Sequence, residues 1–337
     1  MKNPRAAHNF QGRSCSVAGV GHYVPKRILT NADLEKMVET SDEWITTRTG
    51  IKERRIAAAD EFTSDLATKA AQRAMKMAGV TADKINLIIV ATLTPDMPFP
   101  STACLVQRKI GALHAAAFDI EAACSGFIYA LEIGMQFITS RTYETVLVIG
   151  AEKLSSIVNW KDRNTCVLFG DGAGAAILQN RANYHGLLTA VMGADGNKAD
   201  LLSMPGGGSA CPATAESVAQ GLHYLRMDGK ETFKNAVNAM VSAANEAMRR
   251  CEIDITRIKC VIPHQANERI ITAVGERLGT TPEQLFVNLH KYGNTSAASV
   301  AIALDEAVAS GKILRGDLIL LVAFGAGLTW GAAVIEW

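Results

Sequence analysis

Ile258-Lys-Cys-Val-Ile-Pro-His264, followed by Arg269-Ile-Ile-Thr-Ala-Val-Gly-Glu-Arg-Leu-Gly279, repeats a pattern that the chain has already used. The earlier copy is Ile85-Asn-Leu-Ile-Ile-Val-Ala-Thr92, a Pro-rich loop, and Thr102-Ala-Cys-Leu-Val-Gln-Arg-Lys-Ile-Gly111. In each copy a continuous apolar run reads as a buried strand, and the helix after it stops at glycine. Two more pairs follow in the same order. Asp119-Ile-Glu-Ala-Ala-Cys124-Ser-Gly126 bends into the helical run 127–134 and leads to Thr145-Val-Leu-Val-Ile-Gly150. Likewise Asn294-Thr-Ser and a helix over 297–309 lead to Asp317-Leu-Ile-Leu-Leu-Val-Ala323. Finally 167–178 matches 322–335, each built around Phe-Gly-x-Gly.

Strand–helix alternation with such apolar strands predicts mostly parallel pairing, covered on both faces. Two halves of this kind predict an α/β body of internally duplicated mixed sheets layered with helices, five layers in all. The halves are expected at 13–183, carrying Cys124, and 184–337, carrying His264 and Asn294. In this register Cys124 and Asn294 start matching helices. The join over 180–186 lacks a Gly/Ser or Pro tract and does not read as a flexible linker.

At 337 residues the chain can bury a large core as one big domain or two ordinary ones. Its 48% hydrophobic and 20% charged residues are those of a soluble globular protein. Lys+Arg 34 against Asp+Glu 33 argues against a nucleic-acid binder, which carries a basic excess. Seven cysteines without a CxxC argue against a disulfide framework or a zinc site and fit reduced thiols in a cytoplasm. The first dozen residues read as a loose extension without a signal-peptide core, and no apolar run is long enough to cross a bilayer.

Cys124 carries the chemistry in this reading. It stands at a helix start, where the dipole and unpaired N–H groups favour thiolate, the nucleophilic form. The plain alternative for any cysteine is a small buried hydrophobe. That alternative fits Cys104, Cys166, Cys251 and Cys260, which lie on apolar patterns. His264 leaves its strand at the carboxyl end, where α/β sheets place ligands, although a structural hydrogen-bonder is the commoner role. Asn294 in Gly293-Asn294 reads either as turn chemistry or as a site residue. His22, His114, His185, His223 and His290 read as structural or surface groups. Gly170–Gly174 and Gly325–Gly327 lack phosphate-loop spacing and read as tight strand–turn–strand connections.

The densest motifs are Thr40-Ser-Asp-Glu-Trp-Ile-Thr-Thr-Arg-Thr-Gly-Ile51, the Cys124 turn, Phe169-Gly-Asp-Gly-Ala-Gly174, His264-Gln-Ala-Asn267, Gly293-Asn-Thr-Ser296 and Phe324-Gly-Ala-Gly-Leu-Thr-Trp-Gly331. With them the chain, from about Val17 to Trp337, closely resembles the β-ketoacyl-acyl-carrier-protein synthase III family of the thiolase-like fold. The resemblance implies Claisen condensation of an acyl-CoA, typically acetyl-CoA, with malonyl-acyl carrier protein. It also implies a cytoplasmic homodimer with no metal or prosthetic group and no membrane or nucleic-acid partner. The rivals are a related condensing enzyme using another acyl-CoA in secondary metabolism, and an inactive partner of a true synthase.

Cys124, His264 and Asn294 then form the catalytic set. A thiolate takes the acyl group, and neutral histidine and asparagine donors hold the enolate left by loss of CO2, where a carboxylate would repel it. By resemblance the backbone N–H groups of Cys124 and Ala326 form the oxyanion hole. The family has glycine at position 326, so a positive φ there would cost energy. Trp44, Arg48 and Arg163 match CoA adenine and phosphate contacts. Thr40, Phe99, Gly229, Phe233 and Ala266 match tunnel or acyl-pocket positions, with Phe99 reaching the partner's pocket. Lys230 replaces a family asparagine beside the pantetheine. Primer length is expected to depend on Phe99 and the segment 191–212. An acidic carrier needs a basic landing site. Asp228-Gly-Lys-Glu231 reads as a capping-box helix start that puts Lys230 and Lys234 on one face. By resemblance Arg269 is also a carrier contact.

Overall fold

The structure, a computed structural model, describes residues 15–180 and 186–337. The N-terminal extension, His185 and the expected 183/184 boundary lie outside the described residues. The chain opens with β1 (Cys15–Tyr23), β2 (Arg27–Thr30), α1 (Asn31–Leu34), α2 (Asp42–Thr49), β3 (Glu53–Ile56) and α3 (Thr63–Ala78). Next come β4 (Leu87–Ala91), α4 (Thr102–Ile110), β5 (Ala116–Ile120), α5 (Gly126–Thr139), β6 (Thr145–Lys153) and β7 (Asp171–Asn180). Then β8 (Gly186–Ala194), β9 (Leu202–Ser203), α6 (Ala215–Ala219) and β10 (Arg226–Met227) lead to α7 (Gly229–Arg250). The chain closes with β11 (Cys260–Pro263), α8 (Glu268–Leu278), α9 (Leu289–Tyr292), α10 (Ala298–Ala309), β12 (Leu318–Gly325) and β13 (Thr329–Glu336).

Local signals set the helix ends. The Ser101 hydroxyl accepts from Cys104 N–H at the start of α4, and Gly111 ends it at φ 78°. Asn267 caps α8 through Arg269 N–H, and Gly279 ends it at φ 73°. Asp228 caps α7 through the Lys230 and Glu231 N–H groups. The expected capping box is only half made there, because Asp228 N–H bonds Leu201 O instead.

Nine of these strands form one mixed sheet in the order β11-β12-β13-β8-β1-β7-β6-β4-β5, and β2–β3 and β9–β10 form separate pairs. β4 runs parallel to β5 and β6, while β7 runs antiparallel to β6 and β1. On the other side β11 is parallel to β12, and β13 is antiparallel to β12 and β8. The sides mirror each other strand for strand, with the bridge Val261↔Leu285 standing where β5 stands in the first. They meet at one parallel pair, Cys15↔Gly186. Such a narrow seam lets the sheet fold into two facing leaves. α5 and α10 lie between the leaves, α3 and α4 cover one outer face, and α7 and α8 the other. Separate apolar cores fill these spaces: Ile128, Leu131 and Leu304 in the middle, Leu66 and Ile88 under α3, Met240 and Leu320 under α7. Each fully buried aliphatic side chain stabilises the fold by roughly 1.5–3 kcal/mol.

The internal register differs from the one expected from sequence. The residue before each central helical turn has a left-handed backbone, Ala123 at φ 44° and Ser296 at φ 47°. Cys124 is therefore the counterpart of Ala297, and Asn294 lies three residues earlier. The glycines agree. Gly150 abuts Ala297 and Gly174 abuts Ala301, as Gly325 abuts Cys124 and Gly331 abuts Ile128. Matching residue type to residue type misaligns the halves, because the repeat is carried by backbone shape. Similarly, Phe324-Gly325 ends β12, while Phe169-Gly170 precedes β7. Gly325–Gly327 does join two strands, but Gly172 and Gly174 lie inside β7, where α10 comes too close for a side chain.

Candidate active site

Cys124, His264 and Asn294 line one cavity of about 640 Å³. They come from the turn before α5, the end of β11 and the loop before α10, and all three are buried.

Cys124 is held from two sides. The Glu121 carboxylate accepts the Ala123 N–H at 2.9 Å. Opposite, a Cβ at Gly325 would lie 2.6 Å from Cys124 N, so only glycine lets β12 come this close. The Thr329 hydroxyl ties the neighbouring loop down, its one proton placed between Ala122 O at 2.9 Å and Ala326 O at 3.0 Å. Ala326 is not among the left-handed residues, so alanine is unstrained there. The helix start was expected to favour thiolate. Burial outweighs it and pushes the thiol up to about 12, so the resting group is S–H.

His264 receives no charged partner. Its N–H donates to Val322 O at 2.8 Å, and its Nδ1 lies 2.6 Å from Ser299 Oγ. Burial drives its pKa down to about 3, which keeps the imidazole neutral. With Nδ1 engaged, Nε2 is the nitrogen left over. Asn294 is fixed by backbone bonds to Leu168 O (2.8 Å) and from Gly170 N–H (3.0 Å). Its Oδ1 accepts Ser296 N–H at 2.8 Å, which leaves its amide N–H groups as donors. Two neutral donors beside a thiol can stabilise an oxygen that gains charge.

The outer cavity is cationic and aromatic. Trp44 and Arg48 from α2 line it. The Arg48 guanidinium is 4.6 Å and that of Arg163 5.4 Å from the Trp44 ring centre, and Arg163 also donates to Glu39 O at 3.0 Å. Gly229, Lys230 and Phe233 of α7, with Ala266, form a wall. Arg269 completes it, 5.9 Å from the Phe233 ring centre. The remaining expected residues stand apart. Thr40 is half-buried and its hydroxyl has no partner. Lys234 is exposed one position beyond the wall. Phe99 is 84% exposed and does not line this cavity. Leu202, in the segment tied to primer length, does line it. Cys104, expected in the core, is exposed, and all seven cysteines are free thiols.

Sequence reasoning missed Ser299, Met227 and Phe324. Ser299 carried a signal, because it is the polar residue in the first turn of the alanine-rich, buried α10. Met227 and Leu202 come from the β9–β10 pair, whose two-residue strands leave no periodic trace.

Residues 248–337 match the family model described as 3-oxoacyl-[acyl-carrier-protein] synthase III C terminal, and residues 118–196 that described as 3-oxoacyl-[acyl-carrier-protein] synthase III. The chain is 58% identical over 324 residues to the β-ketoacyl-[acyl-carrier-protein] synthase III of Caldanaerobacter subterraneus subsp. tengcongensis, covering 96% of this chain and 98% of that one. It is 53% identical to the synthase III of Symbiobacterium thermophilum, with the same coverage. The crystal structure of 3-oxoacyl-[acyl-carrier-protein] synthase III from Aquifex aeolicus VF5 superposes with a TM-score of 0.89 at 51% identity, over 96% of this chain and all of the other.

Proposed function

The chain belongs to the β-ketoacyl-acyl-carrier-protein synthase III family, and from that premise we propose how its residues divide the reaction. It is an acyltransferase of fatty acid biosynthesis. It condenses an acyl-CoA primer with malonyl-acyl carrier protein, with loss of CO2, to give 3-oxoacyl-acyl carrier protein and CoA. In the first half-reaction the Cys124 sulfur attacks the acyl-CoA carbonyl. The carbonyl oxygen turns to the Cys124 and Ala326 N–H groups, and CoA leaves an acyl-Cys124 enzyme. In the second, malonyl-acyl carrier protein loses CO2. Its enolate oxygen takes hydrogen bonds from His264 Nε2–H and the Asn294 amide, and its carbon attacks the acyl group. Ser299, by donating to Nδ1, keeps the imidazole proton on Nε2. This chemistry calls for no metal or prosthetic group. The observation that carries the assignment is the meeting of a thiol and two neutral donors in one cavity.

Trp44, Arg48 and Arg163 are proposed to hold the CoA nucleotide, the indole and guanidinium planes stacking on adenine and Arg48 pairing with phosphate. Lys230, Phe233, Gly229 and Ala266 follow the pantetheine inward. Arg269 and Lys234 meet the acidic carrier protein. Phe99, exposed on a loop with the half-exposed Met97, supports a homodimer in which it enters the partner's acyl pocket. Free thiols throughout suit a reducing cytoplasm.

The test is intact-protein mass measurement after incubation with a panel of acyl-CoAs. One acyl adduct is expected on the wild type and none on Cys124→Ala. An adduct that persists and maps to Cys104 or Cys166 overturns the assignment.

A further inference from the structure

Glu152 on β6 is fully buried, and the reaction as derived makes no use of it. Its carboxylate accepts from Thr94 Oγ1 at 2.5 Å, Thr92 Oγ1 at 3.2 Å and Leu93 N–H at 3.2 Å. These partners are neutral hydroxyls and an amide, so among the described residues no cation hydrogen-bonds this carboxylate. Ser296, two residues after Asn294, is the polar side chain that acts on both this carboxyl and the nucleophile. Its hydroxyl is buried and makes no close hydrogen bond, yet it lies near enough to favour both the Cys124 thiolate and the Glu152 carboxylate. The other titratable neighbours are occupied or neutral. Lys153 reaches away to Ala58 O and Glu61 O. Asp171 is held by Ser155 and Ala57 N–H. Glu121, the other acid acting on the thiol, caps Ala123, and His264 is uncharged.

We propose that Glu152, through the Ser296 hydroxyl, takes the Cys124 proton during acylation and returns it during condensation. The proposal rests on Cys124 as nucleophile, with Ser296 exchanging a proton with the thiol and Glu152 acting through Ser296. Burial raises the Glu152 carboxyl to about 7 against its hydrogen bonds, which poises it to exchange a proton at neutral pH. In acylation the S–H bond breaks as the S–C bond forms. The thiol proton passes to Ser296 oxygen while the Ser296 proton passes to Glu152. The CoA thiolate leaves and takes a proton from water at the cavity mouth. In condensation the enolate carbon bonds to the acyl carbon and the C–S bond breaks. Glu152 then returns its proton through Ser296 to the departing Cys124 thiolate. The single proton consumed overall ends on CoA. The thiol is buried, with 6% of its surface exposed, so an internal acceptor spares the proton a path through solvent.

The experiment is rapid-quench mass measurement of acyl-Cys124 formation across neutral pH, for wild type, Glu152→Gln, Glu152→Asp and Ser296→Ala. Wild-type acylation should show an acid limb centred near 7. Glu152→Gln should remove the limb and slow acylation about a hundredfold. Glu152→Asp should keep a limb. Ser296→Ala should behave like Glu152→Gln, and alanine is tolerated at this backbone angle because Ala123 adopts it in the other half. If Glu152→Gln does not fold, Ser296→Ala decides alone. An unchanged acid limb in either variant, or wild-type acylation in Ser296→Ala, overturns the proposal. A persistent adduct on Cys124→Ala would instead overturn the nucleophile assignment, so the two failures are distinct.

Discussion

His264 Nδ1 and Ser299 Oγ lie 2.6 Å apart, and among the described residues no charged group shifts the imidazole, which burial alone keeps neutral. The hydroxyl fixes which ring nitrogen faces the cavity. Ser299→Ala should leave acylation of Cys124 intact and slow malonyl decarboxylation about tenfold, the equivalent of one hydrogen bond of ~1–1.5 kcal/mol. Single-turnover acylation and CO2 release, measured on the same preparation, check this. Equal losses in both would assign Ser299 to packing.

His264→Ala and Asn294→Ala should each lower decarboxylation by roughly 10²–10³. Acyl transfer from CoA should fall much less, because its oxyanion uses backbone N–H groups. Loss of acylation with decarboxylation retained would reverse the assigned roles.

Gly325 faces the Cys124 turn and Gly150 the Ala297 turn, and a methyl group at either collides with backbone. Gly325→Ala meets Cys124 N and should impair both half-reactions. Gly150→Ala meets Ala297 and should lower thermal stability, with less effect on turnover in the protein that still folds. Comparing melting temperature with acylation rate for the two variants separates damage to the site from damage to the fold.

Charge reversal at Lys234 or Arg269 should raise KM for malonyl-acyl carrier protein and spare acylation by a small acyl-CoA. Rim charges act mainly on association and are screened by salt. Raising ionic strength should therefore bring the wild type towards the variants. A salt-independent defect would make these residues structural.

Stability should depend on pH in two opposed ways. The His264 pKa falls from 6.5 to about 3 on folding, so the unfolded chain binds a proton that the folded one refuses. That contribution is fully present above 6.5 and is lost as pH falls towards 3. Glu152 rises from 4.5 to about 7, so the folded chain binds the extra proton and gains stability as pH falls from 7 to 4.5. Denaturant midpoints over this range should decline less steeply for His264→Gln and more steeply for Glu152→Gln than for wild type.

The sequence made some of this readable and hid the rest for physical reasons. β4 and β11 were legible because both faces of each strand are buried, which writes an unbroken apolar run. The convergence of Cys124, His264 and Asn294 was legible because Cys124 stands at a helix start, His264 follows a strand end and Asn294 follows Gly293. The true counterpart of Cys124 was not, since the left-handed φ of Ala123 and Ser296 lies at residues whose types do not announce it. Glu152 was hidden as well. In Ala151-Glu152-Lys153 it reads as one of a surface charge pair, whereas in the fold the loop after β4 bonds to it and it is fully buried. The state of the Cys124 thiol went the same way, because a helix start is local and readable, whereas desolvation is supplied by residues across the whole chain.

The exchange of contacts across the middle layer bears on how the protein is made. α10 rests on β7 and β6, with Ala301 against Gly174 and Ala297 against Gly150, although it is among the last elements to leave the ribosome. Until then the inner face of the first leaf, including Ala176 and Leu178, lacks one of its two covers. α5 and β8 have been synthesised by that stage, but β12 and β13, which α5 also contacts, have not. Neither leaf can close its core early, and contacts so distant in sequence form slowly. A nascent chain stalled before residue 298 would present a sticky apolar sheet face, which makes completion of the C-terminus the step at which this protein escapes aggregation.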